Sequence, residues 1–175
     1  MAQTFAALTV WPTDIMPDIL ATSRIFQLMT APHPSLPTAS HVFVYGTLRR
    51  GDVRDITRLQ PAPRFIGYAS VSGQLYHLGS YPGIVLGGEV DVKGEIYAIT
   101  PELERTLDEI EEVWPQQTGE YAKRVIAVRL GEVSLDAVAE FHGRATLDCI
   151  IYEISPDRTV NQMLIEGGDW LAISR

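Results

Sequence analysis

Cysteine is almost missing from this chain. Its 175 residues include a single one, Cys149, so no disulfide can form within the chain and a reducing compartment is the simpler setting. Within Leu147-Asp148-Cys149-Ile150-Ile151-Tyr152 it reads as a strand residue with a buried, inert thiol. Positive charge is also scarce: 14 Lys and Arg stand against 22 Asp and Glu, a formal net charge of -8. A phosphate backbone would be repelled by most of such a surface, which argues against a nucleic-acid partner but leaves room for a small ligand met by a local basic patch. No apolar run approaches the roughly 20 residues of a membrane span. No basic region followed by an apolar block opens the chain, so a cytoplasmic location is expected and no membrane partner. His33, His41, His77 and His142 lie far apart, and no His/Cys/Asp/Glu grouping has the spacing of metal ligands, so no metal is expected. GxGxxG, GxxxxGK and GxSxG are missing too, which removes the usual support for nucleotide-cofactor, NTPase and serine-hydrolase chemistry.

What is present is organised around His41 to Gly51, HVFVYGTLRRG. Val42-Phe43-Val44-Tyr45 is a short apolar run of the kind a strand buried on both faces requires. It breaks at Gly46, where a residue without a Cβ lets the Gly46-Thr47-Leu48 turn offer its N–H groups to a ligand at close range. Arg49 and Arg50 follow, so a carboxylate or a developing oxyanion is the expected guest.

Before this stretch, the prolines at 12, 17, 32, 34 and 37 leave room for one short helix, about Asp18 to Met29. It reads as an extension that could cap the domain, pair with a second copy as a homodimer or be loosely ordered, with a linker from Ala31 to Ser40. The expected division is 1–39 for extension and linker and 40–175 for the domain. After the loop, Asp52 to Leu59 carries Val53, Ile56 and Leu59 at helical-turn spacing. Arg64 to Tyr76 is strand-like, with Phe65, Ala69 and Val71 on one parity, Ile66 and Tyr68 on the other, and bends expected at Gly67 and Gly73. Ile84 to Leu86 and Val90 to Ile99 read as two strands divided by Gly87-Gly88.

Thr100-Pro101-Glu102 begins a helix with a capping hydroxyl, proline at the first position and acid in the first turn. Leu103, Leu107 and Ile110 share one face, and Pro115 is the expected stop. At about 100° per residue, Glu111 falls beside Leu107 at the margin of the apolar stripe, while Glu109 and Glu112 point away. A carboxylate in the last helical turn with partial burial should have a raised pKa, as a base working near neutral pH needs. On the residues alone, an acid in an acidic helix is more often just part of a solvated face. Tyr121 to Leu130 and Ala145 to Ile154 are further strands, 131–143 is an acidic excursion with a few helical residues, and Trp170 reads as a packing anchor near the terminus. Six strands against one well-supported helix predict an α+β fold, a small mixed or antiparallel β-barrel flanked by a few helices.

VFVYGTLRRG resembles the signature of the γ-glutamylcyclotransferase-like proteins, a group that includes γ-glutamylamine cyclotransferase and the AIG2-like proteins. GQLYHLGSYPGIV (Gly73 to Val85), GEIYAI (Gly94 to Ile99), LDEIE (Leu107 to Glu111), Tyr121 and GGDW (Gly167 to Trp170) resemble that family's landmarks in their order, from about Ser40 onward. The resemblance implies an intramolecular acyl transfer without a cofactor: the α-amine of a γ-glutamyl compound attacks its own γ-carbonyl, forming 5-oxoproline and expelling an amine. Glu111 matches the catalytic glutamate, and Tyr45, Gly46, Thr47 and Leu48 match the substrate-binding loop. Tyr121 and Tyr152 are similar to family tyrosines that can belong to the site or to the core. This chain departs from many members in having Glu112 where they have glycine and in its long segment from Val113 to Glu120. A carboxylate-binding module that keeps the loop without the chemistry is the competing expectation.

Overall fold

The computed structural model describes residues 40–173. The helix expected over Asp18 to Met29, the linker before Ser40 and pairing through the extension lie outside the described residues. The elements are β1 (Ser40–Val44), β2 (Arg64–His77), β3 (Pro82–Ile99), α1 (Pro101–Ile110), β4 (Tyr121–Val133), α2 (Val138–Phe141), β5 (Thr146–Ile154) and β6 (Met163–Leu164), with short 3-10 turns at Ile56–Arg58, Pro156–Thr159 and Trp170–Ala172.

Strands β3, β1, β5, β4 and β2 pair in that order, and β2 pairs back onto β3, which closes a mixed barrel. Only the β1–β5 contact is parallel. Strand β1 is central, and its apolar run is buried on both faces as a two-sided strand must be. Phe43 and Tyr45 join Ile66, Leu75, Ile84, Ile96, Cys149 and Ile151 in the barrel core. Val42 and Val44 point the other way, to Leu103 and Leu107 of α1 and to Ile56, Tyr97 and Ile150. Alternation along one strand thus feeds two cores, one inside the barrel and one under the helix that carries Glu111. The Cys149 thiol, buried in the first core, is pushed up to about 12 by burial.

The bends expected at Gly67 and Gly73 are register shifts in the β2–β3 ladder. At Gly67 a Cβ would stand 2.4 Å from the Glu132 carbonyl oxygen, so glycine permits the close approach of β4. The shift there reverses the expected parity: Ile66 packs in the barrel core with Ala69 and Val71, and Phe65 packs in the second cluster. The two strands expected on either side of Gly87-Gly88 are one. Leu86 pairs with Gly73 and Asp91 with Ser72, so residues 87–90 loop out of a continuous β3 through the positive φ of Gly87 and Gly88.

Helix α1 starts where its cap requires, the Leu103 N–H donating to Thr100 Oγ1 at 3.3 Å. It ends at Ile110, short of the expected stop at Pro115, because Glu112 has turned into the left-handed region with φ 53°. Trp170 is the anchor its position suggests: it is buried in the barrel core, and its Nε1–H donates to Asp52 Oδ2 at 2.7 Å. Among the described residues no helix is long and apolar enough to cross a membrane.

Candidate active site

A cavity of about 220 Å³ opens where the loop after β1, the end of α1, the first residue of β3 and the mouth of β4 converge. Glu111, Tyr45, Gly46, Thr47, Leu48, Tyr121 and Tyr152, the residues singled out in the sequence, all line it. Arg54, Tyr81, Pro82, Glu112 and Glu120 line it as well.

The loop is held by its carbonyls. Arg49 N–H donates to Gly46 O at 2.9 Å, Arg54 N–H to Thr47 O at 3.1 Å and Ile56 N–H to Leu48 O at 2.9 Å. The N–H groups of Gly46, Thr47 and Leu48, residues that line the cavity, donate to no other described residue, which leaves them available to an anionic guest. Glycine is required at 46 for a reason the sequence does not reveal: a Cβ there would stand 2.6 Å from Pro82 Cγ, across the cavity wall.

The positive charge of the site is not where the sequence places it. Arg49 is buried and held by Glu95 at 3.2 Å and Asp169 at 2.8 Å. Arg50 donates its N–H to Glu95 Oε2 at 3.0 Å and lays its guanidinium over the Phe65 ring. Both arginines brace the loop from behind, because the landmarks containing Glu95 and Asp169 fold against it. Arg54 is the cation that lines the cavity, and it makes no ion pair with another described residue.

Glu111 caps α1, its N–H donating to Leu107 O at 2.9 Å. Its side chain lines the cavity without a hydrogen bond or ion pair to another described residue. Burial pushes the carboxyl pKa up to about 7, Arg54 pulls against that shift, and Glu120 adds to it. The residue is partly exposed through the cavity mouth while its carboxyl group is desolvated. Glu120 accepts from the Tyr81 hydroxyl at 2.5 Å, with Arg158 at 3.8 Å. Removing its charge should relax Glu111: in Glu120→Gln the acidic limb of any Glu111-dependent pH profile should move to lower pH, and a limb that stays in place would show that Glu120 does not act on Glu111.

The three tyrosines already have partners. Tyr45 donates to Tyr152 O at 2.7 Å and accepts from Ile84 N–H at 3.4 Å. Tyr121 donates to Pro82 O at 3.3 Å, and Tyr152 to Asp108 Oδ1 at 2.7 Å. Burial raises the pKa of each. They give the cavity its walls and tie α1 to β5, and none is placed to give up a proton near neutral pH. Glu112, expected to point away, stands at the mouth, since the turn at its left-handed backbone brings it round beside Glu111. Sequence reasoning missed Arg54, Tyr81 and Glu120. Tyr81 and Pro82 fall within the GQLYHLGSYPGIV landmark, which is the one signal that could have found them.

A family model described as gamma-glutamyl cyclotransferase, AIG2-like, matches residues 42–172. This chain belongs to that family. Every residue that lines the cavity lies within the matched span. The gamma-glutamylcyclotransferase family protein YtfP of Escherichia coli (strain K12) is 32% identical over 133 residues, covering 74% of this chain and 95% of that protein. Gamma-L-glutamyl-butirosin B gamma-glutamyl cyclotransferase of Niallia circulans is 37% identical over 73 residues, 41% of this chain and 46% of that enzyme. Among solved structures, an AIG2-like protein from Mus musculus superposes with a TM-score of 0.58 at 25% identity, over 73% of this chain and 86% of that one.

Proposed function

We propose that this family member cyclises a γ-glutamyl compound to 5-oxoproline and releases the amine, with Glu111 as the proton-transfer group. The observation that carries the reading is one cavity lined by a desolvated carboxyl group with a pKa raised to about 7, by Arg54, and by three residues whose backbone N–H groups have no acceptor among the described residues. The loop N–H groups and Arg54 receive the α-carboxylate and steady the oxyanion. Glu111 takes a proton from the α-ammonium. The freed nitrogen attacks the γ-carbonyl carbon and a new C–N bond closes the ring; Glu111 returns the proton to the leaving nitrogen as its bond to carbon breaks, and the second proton that the ring nitrogen sheds leaves with the released amine as an ammonium. Both reacting groups belong to one molecule, so holding it folded removes most of the entropic cost of the step. A carboxyl group with a pKa near 7 suits both transfers, because it gives and takes a proton with little penalty at neutral pH.

Incubation with a panel of γ-glutamyl amines and dipeptides should yield 5-oxoproline from at least one. Ligand binding with no product across the panel would favour a carboxylate-binding module instead. The chemistry resides in residues 40–175, so deletion of Met1 to Thr38 should leave turnover largely intact, measured as 5-oxoproline release. A folded truncation that loses turnover would place part of the site, or a subunit contact that supports it, in the extension.

A further inference from the structure

The cavity is small beside the roughly 300–1,000 Å³ of sites that enclose a drug-sized ligand. At about 220 Å³ it can take a glutamyl group, and the amine part of the substrate must then emerge at the mouth. The charges there do not balance the substrate's glutamyl end alone. That end brings one carboxylate and one ammonium, which Arg54 with the loop donors and Glu111 respectively match. Two more carboxylates remain. Glu112 and Glu120 stand at the two ends of the segment 113–119, and the Thr118 N–H donates to Glu112 O at 3.3 Å, which draws those ends together at the mouth. Glu112 makes no ion pair with another described residue. Glu120 keeps a hydrogen bond from Tyr81, and among the described residues its one ion-pair partner is the largely exposed Arg158 guanidinium at 3.8 Å. The Glu111 carboxyl, desolvated and without a partner among the described residues, marks the same cavity as built for a ligand.

We propose that Glu112 and Glu120 form an acidic rim that selects γ-glutamyl compounds whose leaving amine carries a second positive charge, such as a diamine, over those with a neutral or anionic leaving group. This rests on the cyclotransferase reading and names the substrate class within it. Glycine at 112 would supply no such charge, and Glu112 supplies it despite its left-handed backbone.

The test uses three γ-glutamyl amides of nearly equal length, made from α,ω-diaminopentane, pentylamine and ω-aminopentanoate, with kcat/KM read from 5-oxoproline release by the full chain. The diamine derivative should be preferred over the pentylamine derivative by about 5- to 10-fold, the scale of one charge contact at about 4 Å in a water-exposed mouth. The aminopentanoate derivative should be the poorest. In the Glu112→Gln, Glu120→Gln double variant the ratio between diamine and pentylamine should fall toward one, and added salt should compress it in the parent protein. Equal kcat/KM for the three amides, or a ratio unmoved by the double variant, would overturn the acidic rim and leave the cyclotransferase reading standing. Absence of 5-oxoproline from all three and from the wider panel would overturn both.

Discussion

Glu111→Gln should lower turnover on a γ-glutamyl substrate by about 100-fold or more, the scale of general acid–base catalysis, while changing 5-oxoproline binding far less. Glutamine keeps the size of the side chain and cannot take a proton from an ammonium. On the proposed reading the substrate carboxylate is met by the 46–48 loop and Arg54, on another element, so affinity should survive the loss of the base. Glu109 lies exposed on α1 outside the cavity lining, and Glu109→Gln is the matched control that should keep most of the activity. The same substitution should raise stability in alkaline solution. A carboxyl group whose pKa rises from 4.5 in the unfolded chain to about 7 in the folded one favours the fold fully below the unfolded value, and that contribution is lost as pH climbs through about 7. Above that pH the wild type holds a desolvated carboxylate that glutamine does not. Glu111→Gln should therefore be more stable than wild type at pH 8, by about 1–3 kcal/mol in chemical denaturation, and the advantage should shrink below pH 5. A variant less stable than wild type at both pH values would mean that Glu111 is a structural acid with partners in the fold.

Gly46→Val should abolish 5-oxoproline binding. A Cβ at position 46 would lie 2.6 Å from Pro82 Cγ and 3.0 Å from Cδ, closer than non-bonded carbons approach, and valine adds two methyl groups beyond it. Neither side can yield cheaply. The loop is pinned by three carbonyl hydrogen bonds. Pro82 is paired with His77 at the start of β3, and its carbonyl holds the Tyr121 hydroxyl. Overpacking of this kind costs about 1–3 kcal/mol of stability, and its relief must move either the donors or the opposite wall. Calorimetric titration of a variant with wild-type circular dichroism reads the effect. Unchanged affinity would mean that the ligand does not sit between the loop and Pro82.

How far the sequence discloses this molecule depends on whether a signal is local. Val42 to Tyr45 reads correctly because a run of four apolar residues before a glycine has few outcomes other than a central strand. The start of α1 reads correctly because its cap lies within a few residues of the helix it caps. Glu111 is legible as a cavity residue because the helical wheel fixes its direction relative to Leu103 and Leu107. Gly87-Gly88 misleads because positive-φ glycines serve a hairpin turn and a looped-out bulge equally well, and only the pairing of Asp91 with Ser72 decides. Arg49 and Arg50 mislead more instructively. Their charge is evident, but what consumes it is Glu95 and Asp169, distant in the chain, so only the closed barrel shows that Arg54 is the cation which, among the described residues, lines the cavity.

The central claim, that Glu111 moves the proton in ring closure, is tested most directly by the pH dependence of kcat/KM measured side by side for wild type and Glu111→Gln. The substrate ammonium titrates identically with both proteins, so the ratio of the two profiles isolates residue 111. That ratio should climb through a midpoint near pH 7 and level off above it. A ratio that is flat across the range, or close to one throughout, would contradict the account.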